Sequence, residues 1–258
     1  MKRLFLAAII FILPMTAVLA QDGISATELF LRANKQYEAG DFSAAIDTYE
    51  QLINLGVANS TVYYNLGNAY FKNGDLGHAI LNYRRAQLLS PRDDDIRANL
   101  ALARSKTTDN IHSNSASLVS QLATSSEQWF TMNELAWGTL VMWILLAALI
   151  IAISWWYHPV AQRILRYSAT IVAILFLASA AMFASRTITA QRQPAAIIVA
   201  EVVDVTSGPG EQYITEFTLH SGTEVIIKET RGKWVRLSLP GDQLQGWVPT
   251  GTVEPIAN

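Results

Sequence analysis

Residues 135–157 have the sequence LAWGTLVMWILLAALIIAISWWY, and residues 167–185 have the sequence YSATIVAILFLASAAMFAS. Neither stretch contains a charged residue, and each is as long as the ~20 apolar residues that a helix needs to cross a bilayer. A surface helix of a soluble protein keeps a polar side, whereas these stretches are apolar all round. We therefore predict transmembrane helices over residues 133–157 and 167–185, joined by a cytoplasmic turn over residues 158–166. The alternative is a pair of buried helices in a large soluble protein.

The aromatic residues of the first stretch gather mainly towards its ends, where amphipathic rings suit the boundary between lipid and water. They are Trp137, Trp143, Trp155, Trp156 and Tyr157. A hairpin of two spans returns the chain to the side that it left. We therefore expect the segments before and after the hairpin to share one compartment.

The N-terminus has the pattern of an export signal. Lys2 and Arg3 precede an apolar run that ends in the small-residue pattern of Val18–Ala20. This pattern predicts a signal peptide over residues 1–20 that is cleaved after its last residue. The alternative is an uncleaved anchor, although the run is short for a span. In both cases the basic end stays in the cytoplasm, which predicts a bacterial inner-membrane protein with its N-terminal and C-terminal domains in the periplasm.

Composition argues against several classes of protein. The net charge is −2, so no large basic surface indicates nucleic-acid binding, and the absence of cysteine excludes disulfides and thiolate metal sites. We find none of the common catalytic or nucleotide-binding motifs, and the four histidines are scattered. No Asp, Glu, Lys, Arg or His lies within either apolar stretch, which argues against a transporter. The sequence predicts a protein that is not an enzyme and that holds no cofactor and no metal.

Residues 25–91 contain an internal repeat with an offset of 34 residues. The matching positions are Gly40 and Gly74, Ala45 and Ala79, Ile46 and Ile80, Tyr49 and Tyr83. A helix–turn–helix period of this length with these residue types resembles the tetratricopeptide repeat. The resemblance implies an α-helical array over residues 21–106. Its parts are two repeats, at about residues 26–59 and 60–93, and a capping helix over residues 94–106.

Stacked repeats of this kind form a concave groove that is lined by the first helix of each repeat and that commonly binds peptides or protein tails. The resemblance places eight residues on this face: Phe30, Asn34, Tyr37, Thr61, Tyr64, Asn68, Phe71 and Lys72. We expect this face to bind a partner protein. The alternative is that residues such as Tyr64 and Asn68 are simply common structural residues of the repeat.

The remaining segments comprise two linkers and a β-rich domain. Residues 107–132 are rich in Ser, Thr and Asn, which is typical of loops, and residues 186–196 form a second predicted linker. Residues 197–258 alternate Val, Ile and Thr with polar residues, and Gly or Pro separates the runs. This pattern predicts five or six short strands, with a tight hairpin turn at Arg231–Lys233.

The last domain resembles the bacterial SH3-like domain, a small closed β-barrel, over residues 197–256. Trp234 and the strand Gly246–Val248 carry the resemblance most specifically. Two interpretations stay open for Trp234 and Trp247. They stack on a ligand at the surface of the domain, or they form part of its core.

The order of the parts is signal peptide, helical repeat array, two spans and all-β SH3-like barrel, which makes a multi-domain chain. This order resembles the BatE family of tetratricopeptide-repeat membrane proteins. The resemblance implies Bat-type partners with von Willebrand factor A domains, MoxR-type ATPases, and a role in oxygen tolerance or envelope stress. We expect a non-enzymatic scaffold that is anchored by membrane lipid around its spans. The alternative is a module that binds peptidoglycan and recruits a cell-wall enzyme.

Overall fold

The computed structural model describes residues 25–109, 130–192, 194–241 and 244–257. It contains five short helices, two long apolar helices and one antiparallel sheet. The predicted signal peptide and most of the first predicted linker lie outside the described residues. The helical array, the two apolar helices and a C-terminal sheet agree with the fold class that the sequence predicts.

The five short helices follow the repeat pattern. They are α1 (Ala26–Glu38), α2 (Phe42–Asn54), α3 (Ser60–Asn73), α4 (Leu76–Leu89) and α5 (Asp94–Arg104). Asp41 and Asp75, which are 34 residues apart, cap α2 and α4. The side chain of each accepts a hydrogen bond from the backbone N–H of the third residue of its helix. Gly40 and Gly74 precede these caps with φ values of 79° and 88°, a left-handed conformation that favours glycine.

The repeats pack through small residues against large ones. Ala33 and Ala45 are fully buried and lie in one cluster with Tyr49, Leu52 and Leu66. At Gly67 an added Cβ would lie 2.8 Å from the ring carbons of the Tyr83 side chain. The small residue at this position is therefore what allows the second pair of helices to approach closely.

Two helices are long and apolar enough to cross a membrane. They are α6 (Met132–Trp155) and α7 (Pro159–Arg192), and the apolar part of α7 ends at Thr189. The hydroxyl groups of Thr139 and Ser179 lie 2.6 Å apart and join the two helices. The most apolar segment of each helix is not buried in the described structure, and Trp143 is 55% exposed. Burial within this chain therefore does not explain why these two helices are apolar.

The segment predicted as a nine-residue turn is largely helical. Only residues 156–158 separate α6 from α7, because α7 begins at Pro159 and also extends beyond the predicted end of the second span. Proline is favoured at the first position of a helix, where its fixed φ fits and its missing N–H is not needed. The segment that follows it contains residues that favour a helix, such as Ala161, Leu165 and Arg166.

The C-terminal sheet has seven antiparallel strands. They are β1 (Ala195–Ile198), β2 (Val202–Thr206), β3 (Thr215–His220), β4 (Glu224–Arg231), β5 (Trp234–Ser238), β6 (Gln245–Pro249) and β7 (Val253–Pro255). Their order is β3-β2-β6-β5-β4-β1-β7. The strands β4 and β5 form the predicted hairpin, with Arg231 opposite Trp234 and a positive φ of 61° at Gly232.

The closed barrel that the SH3-like resemblance implies is not confirmed. The edge strands β3 and β7 do not pair with each other in the described residues, so the sheet is not closed by hydrogen bonds. The sheet also begins at Ala195, inside the predicted second linker. Residues 199–201 separate β1 from β2, and these two strands pair with different neighbours.

The sheet packs directly against the helical array. Ile80 and Leu81 of α4 and Leu100 of α5 share a buried cluster with Ile197 of β1 and Ile256 after β7. Each of these side chains is at most 4% exposed. The sequence patterns predict the repeat array and the last domain as separate modules. In the structure, the two share a hydrophobic core.

Gly77 marks the closest approach of α4 to the sheet. An added Cβ there would lie 2.6 Å from the hydroxyl of Ser221 and 2.8 Å from the carbonyl oxygen of Ile198. The equivalent residue of the first repeat, 34 positions earlier, is Ser43, which is exposed. The second repeat thus has a glycine where the sheet leaves no room for a side chain.

We predict that Gly77→Leu lowers the free energy of unfolding by about 1–3 kcal/mol, because overpacking forces the helix and the sheet apart. Thermal unfolding of the full chain in detergent, together with protease resistance of the β1 region, measures the effect. Ser43→Leu is the matched control and should change stability by less than about 0.5 kcal/mol, since its side chain faces solvent. Equal effects of the two substitutions would contradict the docked arrangement.

Candidate partner-binding groove

The predicted groove residues lie on α1 and α3, and none of them is fully buried. Thr61 and Lys72 are exposed. The half-buried members are Phe30, Asn34, Tyr37, Tyr64, Asn68 and Phe71. A cavity of about 240 Å³ opens on this face and is lined in part by Asn34, Tyr37 and Asn68. The structure therefore brings three of the eight predicted residues together around one small cavity.

In the first repeat, Asn34 joins α1 to both of its neighbours. The hydroxyl of Tyr49 on α2 donates a hydrogen bond of 2.5 Å to Oδ1 of Asn34. Nδ2 of Asn65 on α3 donates to the same oxygen over 3.3 Å. Burial raises the pKa of Tyr49 to about 12, which keeps its hydroxyl protonated and able to donate at neutral pH.

The second repeat contains the same arrangement, shifted by 34 residues. The Tyr83 hydroxyl donates to Oδ1 of Asn68 over 2.7 Å, and Nδ2 of Asn99 donates to that oxygen over 3.0 Å. Asn99 also donates to the hydroxyl of Tyr64 over 2.9 Å. We call the six residues that repeat this pattern the asparagine ladder: Asn34, Tyr49, Asn65, Asn68, Tyr83 and Asn99.

The asparagine ladder assigns a structural role to part of the predicted groove. The side-chain oxygens of Asn34 and Asn68 hold helices of adjacent repeats together. Tyr64 packs near the Tyr83 ring, with 6.0 Å between the ring centroids. Thr61 and Lys72, in contrast, are exposed and make no described hydrogen bond or ion pair. The structural interpretation therefore accounts for the asparagines, and the exposed residues are the better probes of partner binding.

A second group of polar residues, which the sequence predictions do not include, connects the array to the sheet. Arg104 donates to the carboxylate of Glu224, and Nε of Arg84 lies 3.5 Å from the same group. The Arg85 guanidinium donates to the backbone carbonyls of Ile256 and Pro255 over 3.2 and 3.0 Å. These contacts surround the hydrophobic cluster at the interface.

Asp109 fixes the other end of this interface. Its carboxylate accepts hydrogen bonds from the backbone N–H of His220 at 2.7 Å and from the Thr223 hydroxyl at 2.7 Å, and it lies 2.8 Å from Nδ1 of His220. Burial alone would raise the pKa of Asp109, but the hydrogen bonds from Thr223 and His220 lower it below its usual value. The carboxylate is therefore charged when it binds the sheet.

His78 of α4 lies between two carboxylates at the interface. Its Nδ1 is 2.7 Å from Oδ2 of Asp75, and its Nε2 is 3.5 Å from Oε1 of Glu254. The ring of Tyr70 stacks on the imidazole, with 4.9 Å between the centroids. Hydrogen bonds to Asp75 and Glu254 raise the pKa of His78 to about 9 despite its burial, so the imidazole is charged at neutral pH.

Differences in sequence between the two repeats indicate that α4 forms this interface. Exposed residues of α2 correspond to residues of α4 that contact the sheet. The pairs are Ser43 and Gly77, Asp47 and Leu81, Glu50 and Arg84, and Gln51 and Arg85. A solvent-facing Asp that becomes a fully buried Leu indicates that the outer face of the second repeat is covered.

The two tryptophans of the sheet differ in their surroundings. Trp234 is half-buried, whereas Trp247 is 7% exposed and has the Arg231 guanidinium 5.2 Å above its ring. A cavity of about 470 Å³ adjoins Trp247 and is also lined by Tyr213 and Arg236. Trp247 lines this cavity and lies outside the hydrophobic clusters of the described residues, so the stacking and core interpretations both stay open.

Comparison with known families identifies the repeats. Residues 33–74 match the family model described as TPR repeat, and residues 60–93 match the model described as tetratricopeptide repeat. No curated protein matches the chain. The repeats predicted from the 34-residue offset are therefore confirmed, and they are of a type that mediates contacts between proteins. The SH3-like and BatE-like resemblances are not confirmed by these matches and stay predictions.

We predict that Asn68→Ala lowers the free energy of unfolding by about 1–3 kcal/mol, because the buried Tyr83 hydroxyl and the Asn99 amide lose their acceptor. Chemical denaturation of the full chain, followed by circular dichroism, measures the change. Lys72→Ala, one turn further along α3, is the control and should be nearly neutral. A neutral Asn68→Ala would show that the asparagine ladder does not hold the repeats together.

We predict that the stability of the interface depends on pH through His78. The folded pKa of about 9 lies above the ordinary value of 6.5, so the stabilisation is complete below pH 6.5 and is lost as the pH rises through 9. The melting midpoint of the full chain should fall over this range. His78→Gln should flatten the profile, and an unchanged slope in this variant would rule out the assignment.

Proposed function

We propose that this chain is a membrane-anchored, non-enzymatic scaffold that binds partner proteins through its TPR groove. The observation that carries the proposal is the asymmetry of the repeat array. The outer face of α4 is covered by the sheet, whereas Thr61 and Lys72 on α3 are exposed. Since TPR arrays commonly bind proteins on the face of their first helices, the open face is the docking surface that we propose.

The chemistry of this face suits an extended peptide segment. The described hydrogen bonds of Asn34 and Asn68 use Oδ1, and within the described residues no acceptor takes the Nδ2 hydrogens. These amides can donate to the backbone carbonyls of a bound segment. Phe30, Tyr37 and Phe71 supply partly exposed aromatic surface beside them.

The anchor in this proposal is the hairpin of α6 and α7. Nη1 of Arg186 donates to the carbonyl oxygen of Phe130 over 2.9 Å, so the outer ends of the two helices lie side by side. Arg92, between α4 and α5, pairs with Glu134 in the first turn of α6. These contacts support a placement of the array and the sheet on the same side of the membrane. The export pattern of the N-terminus favours the periplasmic side of the inner membrane.

The finer part of the proposal rests on the resemblance to the BatE family. On that basis the partners are Bat-type membrane proteins with von Willebrand factor A domains, in a complex that acts in envelope stress or aerotolerance. The alternative function, binding of peptidoglycan through the SH3-like domain, has less support because Trp247 is buried beneath Arg231. Sedimentation of the full chain with purified peptidoglycan separates the two functions.

We predict that Thr61→Arg combined with Lys72→Glu reduces co-purification of the partner from detergent-solubilised membranes at least about tenfold, because the new charges alter the contact surface and both residues are exposed. Quantitative mass spectrometry of the affinity-purified chain measures the loss. Asp47→Arg on the outer face of α2 is the matched control and should retain the partner. An unchanged set of partners, with an unchanged melting midpoint, would exclude the groove as the docking surface.

A further inference from the structure

A cavity of about 430 Å³ lies where the repeat array, the hairpin and the sheet meet. Each part contributes to its wall: Leu88 from α4, Met132 from α6, Thr189 from α7 and Ala195 from β1. This cavity is separate from the groove on α1 and α3, and the proposed function does not use it.

The cavity lies at the outer ends of both apolar helices. Met132 is the first residue of α6, and Thr189 is the last residue of the apolar part of α7. If these helices cross a bilayer, residues at their ends lie at the level of the lipid headgroups. The cavity therefore lies at the level of the headgroups when the hairpin spans a bilayer.

The lining of the cavity includes apolar side chains that are not covered by the protein. Leu88 and Leu89 in the last turn of α4 are 38% and 47% exposed. The residue of the first repeat that corresponds to Leu88 is Asn54, which suits solvent. The second repeat thus places a leucine where its counterpart has a polar residue, at the end of the helix that adjoins the hairpin. An acyl chain would cover this surface.

The charged residues that line the cavity are both basic. They are Arg84 and Arg186, and no carboxylate lies among the described lining residues. Arg186 donates to a backbone carbonyl. Arg84 donates to Gln87 over 2.7 Å and lies 3.5 Å from the carboxylate of Glu224. The nearby Glu134 is paired with Arg92. The cavity therefore combines a net positive charge with an apolar wall.

We propose that this cavity binds one anionic phospholipid, with its phosphate between Arg84 and Arg186 and an acyl chain against Leu88 and Leu89. Arginine suits phosphate because its planar guanidinium offers several donors in a fixed geometry. The bound lipid would connect the repeat array, the hairpin and the sheet at the membrane surface. This inference rests on the proposed anchoring of α6 and α7 in a membrane.

Native mass spectrometry of the full chain in detergent, with added phosphatidylglycerol or phosphatidylcholine, tests the proposal. We expect one phosphatidylglycerol to be retained in preference to phosphatidylcholine. Arg186→Gln should weaken phosphatidylglycerol binding about fivefold and phosphatidylcholine binding by a smaller factor, because both lipids carry the phosphate but only phosphatidylglycerol has a net negative charge. Arg186→Lys should preserve most of the preference. Leu88→Asn should weaken the binding of both lipids, because the apolar wall contacts the acyl chain.

The matched control is Arg163→Gln combined with Arg166→Gln, at the opposite end of the hairpin. This pair should not change the lipid preference, whereas an equal loss would show that any basic residue near the headgroups has the same effect. An absence of preference in the wild-type chain would also overturn the proposal. Carbonate extraction of membranes separates this failure from failure of the anchor, because an anchored chain stays in the membrane fraction without a specific lipid site.

Discussion

The hydrophobic contact between α4, α5 and the sheet is the interaction on which the rest of the structure depends. Burial of a leucine or isoleucine side chain contributes about 1.5–3 kcal/mol, whereas an exposed ion pair contributes about 0–1 kcal/mol. Leu81, Leu100, Ile197 and Ile256 are buried in one cluster, so their contact outweighs the ion pairs around it. The polar contacts of Glu224 and its neighbours fix the orientation of a contact whose stability is mainly hydrophobic.

This contact determines which surfaces are available for function. It covers the outer face of the second repeat and leaves the face of α1 and α3 open, where Thr61 and Lys72 are exposed. It also holds the segments before and after the hairpin together, which is consistent with a return of the chain to its original side. This arrangement is consistent with the scaffold that we propose.

Local patterns predict the helices well and the contacts between domains poorly. The 34-residue offset and the caps at Asp41 and Asp75 depend on neighbours along the chain, so the sequence alone predicts the five helices. The order of seven strands depends on distant pairing, which periodicity does not specify. The structural role of Asn68 also depends on hydrogen bonds to neighbouring helices, which the 34-residue pattern does not specify. The interface was predictable in part, because Asp47 and Leu81 occupy equivalent positions with opposite polarity.

Distance measurement by electron paramagnetic resonance tests the docked arrangement most directly. The chain contains no cysteine, so Asp47→Cys and Glu216→Cys introduce the only two labelling sites, both at exposed positions. In the full chain in detergent we expect a single narrow distribution of distances between spin labels on α2 and β3, because the array and the sheet form one body. A broad distribution would show that the two domains move independently and would contradict this account.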